Sequence, residues 1–372
     1  MTELRDYIQR LISRGGPITL ERYMELALAH PVHGYYMTRD PLGSQGDFVT
    51  APEVSQMFGE MIGVWCADYW ARMGAPDRVN LVELGPGRGT LMRDLLRAAK
   101  IVKPFFAALR ICFVETSPVL RRVQKAKLEN AGPPVAWFNR FEDVPAGKTI
   151  VIANEFFDAL PAQQFVRTAD GWHERNVGMN RDGSLCYSFA PAPERSIHLD
   201  SRVGAILEIN HCAIREMSAI AKRIVMDGGV ALAIDYGYTQ PGVGNTFQAV
   251  RRHAYVDPLD DPGNADLTTH VNFAALAEAA RLAGARVFGP IPQGDFLTRL
   301  GVRERATALA SNSDELRATR VQSELARLIG KNIGDPEDFT NVVGMGGLFK
   351  ALSVTQNDGP EPAGFAEEAL AP

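Results

Sequence analysis

The sequence predicts an α/β protein: a mostly parallel sheet with helices on both faces, an N-terminal helical region and a small antiparallel insertion. Three observations predict it. Apolar runs of strand length recur: NLVELG (80–85), RICFVE (110–115), VAWF (135–138), TIVIAN (149–154) and VALAIDYG (230–237). Stretches of helical spacing alternate with them, most clearly at 90–100 and 117–130. Between the strands near 150 and 230, Asp170-Gly171 and Asp182-Gly183 are hairpin turn signals in a gap too long for one crossover. Strands alternating with helices form parallel sheets, and burial on both faces makes such strands continuous apolar runs.

Along the chain, Glu21 to His30 is helical and Pro31 stops it. The loop HPVHGYYMTRDPLGSQGDFVTAPE (30–53) is dense in Gly, Pro and polar residues. SQMFGEMIGVWCADYWARMG (55–74) follows, with Met57, Phe58, Met61, Val64, Trp65 and Tyr69 near one helical face. The insertion QQFVRTADGWHERNVGMNRDGSLCYSF (163–189) reads as hairpins, and a helix at about 208–226 returns to the sheet. A helix over NFAALAEAARLAGA (272–285), a short strand, a helical region at 299–335 and a last strand, GLFKALSVTQ (347–356), complete the fold. The tail, NDGPEPAGFAEEALAP (357–372), is expected to be disordered.

Composition narrows the function. The 372 residues are 46% hydrophobic, as in a globular protein of one large or two modest domains. No apolar stretch is long enough to span a bilayer. The N-terminus, MTELRDYIQRLISRGGPITL, has acids and no continuous apolar core, so neither a secretory signal nor a transit peptide is read there. Cys66, Cys112, Cys186 and Cys212 are scattered, which fits a reducing cytoplasm better than disulfides or zinc. A net charge of −5 gives no basic footprint for nucleic acid. No His/Cys/Asp spacing suggests a metal.

The strongest local signal is LVELGPGRGTLMRDLL (81–96). A strand ends at Leu84, then Gly85, Gly87 and Gly89 follow, and a helix starts near Thr90. Glycines permit positive φ and a close ligand approach, and the helix N-terminus offers free N–H groups. A dinucleotide loop needs G-x-G-x-x-G, but Thr90 stands three after Gly87. Glu83 lies inside the strand, giving E-x-G-x-G-x-G, a pattern that resembles class I S-adenosylmethionine-dependent methyltransferases. Glu115, which closes the second strand, can accept both ribose hydroxyls. Asn139 to Asp143, after the third strand, matches the adenine region too loosely to choose a residue.

Longer stretches narrow the resemblance. GDFVTAPEVSQMFGEMIGVW (46–65), VELGPGRGTL (82–91), FVETSP (113–118), ANEFFDALP (153–161), IDYGY (234–238) and ADLTTHVNF (265–273) resemble the MidA family. That family includes the mitochondrial protein arginine methyltransferase needed to assemble respiratory complex I. The resemblance implies a class I methyltransferase fold with S-adenosyl-L-methionine as cofactor. It also implies symmetric dimethylation of an arginine in a complex I core subunit, the acceptor protein. The missing transit peptide points to a bacterial member. The organisation expected is an N-terminal helical lid region at 1–75 and the two halves of the cofactor domain at 76–160 and 227–355. Inserted hairpins and a helix, a candidate substrate region, occupy 161–226, and the tail occupies 356–372.

TIVIANEFFDALPAQQF (149–165) ends an apolar strand in Asn154, Glu155 and, after two phenylalanines, Asp158. In open α/β sheets ligands bind beyond the carboxyl ends of the strands. All three are therefore expected to face the same crevice as the glycine loop, in catalytic or substrate roles. Carboxylates hold a guanidinium through charge-assisted hydrogen bonds and take the proton released when it is methylated. Phe156 and Phe157 read as walls of the site or as core. Glu83, Gly85, Gly87, Gly89 and Glu115 are expected to bind the cofactor, together with Asp47, Thr50 and Pro52 if the N-terminal loop is a lid. The bland account of that loop is a helix cap at Ser55 or Thr50, with Glu53 near the positive end of the helix. Asp235 and Tyr236 end the fifth strand, and His270 is either a proton acceptor or structural. Competing functions are methylation of another side chain or a small molecule, and an assembly chaperone with a vestigial cofactor pocket. A nicotinamide oxidoreductase is disfavoured by the loop spacing.

Overall fold

A computed structural model describes residues 3–39, 50–311, 313–330 and 344–365. Seven strands form the central sheet and are numbered within it: β1 (Val79–Leu84), β2 (Leu109–Val114), β3 (Val135–Phe138), β4 (Thr149–Asn154), β5 (Gly229–Tyr238), β6 (Arg286–Pro292) and β7 (Phe349–Thr355). Their order is β3-β2-β1-β4-β5-β7-β6. The first five run parallel, and β7 is antiparallel to both β5 and β6. A short strand, Val271–Asn272, adds to the end of β5. The five apolar runs form strands within a residue of the expected ends. Every residue of β1 and β4 is buried, which is why these strands show no alternation in the sequence.

Two apolar layers cover the sheet. Leu81, Ile150 and Ile152 pack on one side with helices Gln56–Arg72 and Thr90–Ala99. Val82, Val151 and Ala153 pack on the other with helices His211–Asp227 and Phe273–Leu282. Helix Gln56–Arg72 approaches its neighbour closely at Gly63, where an added Cβ would lie 2.6 Å from the Leu95 carbonyl oxygen. Val64, read onto the apolar face, is instead 46% exposed.

The insertion is an antiparallel sheet of strands Gln163–Arg167, Trp172–Met179, Leu185–Phe189 and Ile206–Ile209, with the two Asp-Gly turns between the first three. Ile18–Thr19 pairs with Asn176 and Val177, joining the N-terminal helices to this sheet. A three-stranded sheet of Gln248–Arg251, Ala254–Val256 and Asp266–Thr268 was not read from the sequence.

The expectation of a disordered tail fails for its described part. Trp65 Nε1 donates to the Ala363 carbonyl over 3.1 Å, and Phe365 is buried against Phe296. A single aromatic residue provides the apolar anchor in an otherwise polar, Pro/Gly-rich stretch. Residues 366–372 lie outside the described residues, as do 331–343 at the end of the expected helical region.

Candidate active site

β1 has β2 on one side and β4 on the other, so consecutive crossovers leave in opposite directions and open a crevice at the strand ends. A cavity of about 840 Å³ lies there. Its floor is the glycine loop. Gly85, Gly87 and Gly89 have φ of +58°, +52° and +74°, values that L side chains rarely adopt. Gly89 is the left-handed residue that starts helix Thr90–Ala99. Glu83 and Asn154 both line the cavity. Each holds a buried side-chain oxygen, Glu83 Oε2 and Asn154 Oδ1, with no hydrogen-bond partner among the described residues. Burial pushes the Glu83 carboxyl well above its ordinary range.

Glu115 stands one residue beyond β2 and also lines the cavity. Its Oε1 accepts the Ser117 N–H at 2.7 Å and its Oε2 accepts Gln124 Nε2 at 3.2 Å. Burial raises its pKa, and these donors oppose the shift. The same Gln124 amide donates to the Gly87 carbonyl at 2.7 Å, and its oxygen accepts Trp137 Nε1 at 2.8 Å. Gln124 thus ties the acid to the glycine loop, a connection not read from the sequence. The available signal was a polar residue four after Leu120, on the buried side of helix Pro118–Lys127.

The end of β4 divides the residues expected together. Glu155 has φ of +49°, in the left-handed region, and lines the cavity. Its Oε1 accepts the Ala51 N–H and Asn154 Nδ2, each at 3.0 Å. Burial pushes its pKa up to about 8; the Ala51 N–H opposes this and the Asp158 carboxylate adds to it. Phe156 lines the cavity, with its ring below Gly85, whereas Phe157 is core. Asp158 corrects an expectation. The cavity wall passes from Phe156 to Ala159 and leaves Asp158 out. Asp158 is buried and accepts the Tyr236 hydroxyl, with its pKa pushed up to about 6 by burial. The turn after Glu155 carries it behind the site.

Segment 50–54 covers the loop. Thr50, Pro52 and Glu53 line the cavity, and Glu53 accepts the Thr90 hydroxyl. Ser55 caps helix Gln56–Arg72 through the Met57 N–H, while Thr50 makes no side-chain cap. Asp47 lies outside the described residues. Asn139, Phe141 and Glu142 form part of the wall near Glu115, and Cys212, Arg215 and Glu216 form part of it from helix His211–Asp227. His270 does not line the cavity; it packs edge-on to Tyr236 at 5.3 Å, and burial pushes its pKa down to about 4. Among the described residues, no group of three or more His, Cys, Asp or Glu side chains is placed to hold a metal, and no helix is long and apolar enough to cross a membrane.

Residues 61–291 match the model of a family of S-adenosyl-L-methionine-dependent methyltransferases. The chain belongs to that family. The protein arginine methyltransferase NDUFAF7 of Danio rerio mitochondria is 36% identical over 95% of this chain and 89% of its own length. The human protein of that name is 35% identical, over 85% of this chain and 77% of its own. A COG1565 superfamily member from Burkholderia thailandensis, solved with S-adenosyl-homocysteine bound, superimposes with a TM-score of 0.81. It is 25% identical, over 98% of this chain and 92% of that one. These findings bear out the MidA resemblance, the class I fold and the cofactor: this methyltransferase uses S-adenosyl-L-methionine. Its cavity suits that ligand. The left-handed glycines leave backbone exposed to it, and the partnerless oxygens of Glu83 and Asn154 are acceptors that a cationic amino group satisfies.

Proposed function

We propose that this chain is a protein arginine N-methyltransferase whose acceptor is a subunit of respiratory complex I, and that Glu155 receives the arginine. The observation that carries the reading is the Glu155 carboxyl, aimed into the cofactor cavity and held by the Ala51 N–H and Asn154. The relatives named as arginine methyltransferases support the choice of acceptor.

Glu83, Gly85, Gly87, Gly89 and Glu115 hold the cofactor, with Thr50 and Pro52 closing over it. Glu83 and Asn154 accept from its amino group, and Glu115 accepts from the ribose hydroxyls. The cofactor supplies a methyl group on a sulfonium, which a nucleophile takes by direct displacement. The chain's own contribution is to position the nucleophile, an effect worth roughly 7–11 kcal/mol in well-oriented reactions. A guanidinium beside Glu155 lowers the proton affinity of its carboxyl, so the pair forms as carboxylate and cation. Methylation releases one proton from the guanidinium. The Glu155 carboxylate, paired with that guanidinium, stands beside the nitrogen that loses the proton and is placed to take it. Asp158, hydrogen-bonded to Tyr236, lies outside the cavity lining and acts on Glu155 only by raising its proton affinity.

Pro161, Cys212, Arg215 and Glu216 line the cavity, which supports residues 161–226 as the acceptor side. The four free cysteines fit a reducing compartment. The test is methyl transfer from labelled cofactor to lysate of a strain lacking the protein. A labelled band yielding methylarginine supports the reading, and label on another residue type overturns it.

A further inference from the structure

We propose that Asp235 is a positioning residue for methyl transfer: its buried carboxylate gathers the three N–H groups that follow Glu155 and thereby fixes the left-handed turn that aims Glu155 into the cavity. Asp235 ends the buried part of β5 and is 0% exposed. Its Oδ2 accepts the backbone N–H groups of Phe156, Phe157 and Asp158 at 3.2, 3.0 and 3.3 Å. Its Oδ1 accepts the N–H of Tyr236 at 2.9 Å. Three successive N–H groups converge on one oxygen only when the chain turns back on itself. The residue that starts the turn is Glu155, at φ of +49°. A non-glycine residue in that region is strained by roughly 1–3 kcal/mol and persists only where its surroundings hold it. The same strand end holds the far side of the turn, where the Tyr236 hydroxyl donates to Asp158. The burial of Phe157 in the core anchors the middle of the turn as well. A buried carboxylate is costly unless fully hydrogen-bonded, and here every bond it makes is to backbone N–H.

Burial, and after it the neighbouring carboxyls of Asp158 and Glu155, push the Asp235 carboxyl well above its ordinary range, so its hold on the turn rests on its hydrogen bonds. The charged groups acting on Glu155 are Asp158 on its own turn and Arg327 on helix Glu315–Ile329. The inference rests on the acceptor role of Glu155.

The test is a double-mutant cycle on the full chain with Glu155→Gln, Asp235→Asn and the pair. The readout is initial methyl transfer from labelled S-adenosylmethionine to lysate of a deletion strain, with cofactor affinity and melting temperature measured in parallel. Asp235→Asn keeps the shape and replaces one acceptor oxygen by an N–H donor; Asp235→Glu keeps both oxygens and displaces the turn, and serves if the first fails to fold. Each is expected to lower the rate by about tenfold or more, as misplacement of a reacting group does, with cofactor affinity unchanged. The double variant should be no slower than Glu155→Gln alone. The loss should fall on the rate at saturating cofactor and exceed any loss of folded protein, a split that a purely structural role does not produce. If Glu155→Gln is slow but the two effects multiply, or the rate falls only in step with the folded protein, Asp235 does not act through Glu155 and the positioning proposal falls while the acceptor reading stands. If Glu155→Gln is as fast as the parent, the acceptor reading itself falls and takes this inference with it.

Discussion

The backbone N–H of Ala51 donates to the carboxyl of Glu155 over 3.0 Å, so a segment 104 residues earlier in the chain is fastened to the end of β4. Glu53, two residues on, accepts the Thr90 hydroxyl at the start of the glycine-loop helix. The two bonds hold segment 50–54 across the cofactor cavity.

Cofactor binding is therefore expected to protect the amides of residues 50–60 from hydrogen exchange, Ala51 foremost. Glu53→Gln should weaken that protection and lower cofactor affinity, because the segment loses its charged anchor on the loop. Exchange at Ala51 that is identical with and without saturating S-adenosylmethionine would leave only a helix-capping role for this segment.

Gly87→Val should abolish cofactor binding in titration calorimetry. At φ of +52° a β-branched residue costs on the order of 1–2 kcal/mol of backbone strain, and its side chain enters the space the cofactor needs. The fold should survive at a melting temperature several degrees lower. Binding that matches the parent would remove the glycine loop from the account, as would tighter binding of NAD than of S-adenosylmethionine by the parent protein.

Stability should fall as pH rises from about 5 to 8. Glu155 keeps its proton in the folded state up to about pH 8, whereas a carboxyl in the unfolded chain loses it near 4.3. The folded state binds more protons between those values, so this contribution is full below the unfolded pKa and lost as pH rises through the folded one. Asp158, pushed up to about 6, adds to the lower part of the window. Glu155→Gln should flatten the decline: at pH 8 the variant is expected to melt a few degrees above the parent, and at pH 4.5 at nearly the same temperature. Parallel curves for parent and variant would show that Glu155 is ionised in the empty protein.

Strands β1 and β4 were legible because burial on both faces leaves a plain mark, an unbroken apolar run such as Thr149–Asn154. The glycine loop was legible because only glycine suits three left-handed positions in five residues. Asp158 was placed wrongly because its direction is set by contacts remote in sequence. The turn that carries it behind the site is held by Asp235, 77 residues away, and strand periodicity says nothing of such a turn. Gln124 was missed because a polar residue on a helix face is normally solvated, and its three partners lie on three different elements. The pairing of Ile18–Thr19 with the insertion was missed because two residues carry no period. The tail misled because its composition is polar, and Phe365 fixes it through a buried ring pair.

The central claim is that Glu155 grips an arginine of the acceptor protein and not the cofactor. The most direct test compares parent and Glu155→Gln in methyl transfer from labelled S-adenosylmethionine to lysate of a deletion strain, with the labelled residue identified after digestion. Net hydrogen bonds to charged groups are worth about 1.5–3 kcal/mol, so the account predicts methylarginine as the product and a rate lower by roughly ten- to a hundred-fold in the variant, at unchanged cofactor affinity. Full transfer by Glu155→Gln, or label on a residue other than arginine, would contradict it.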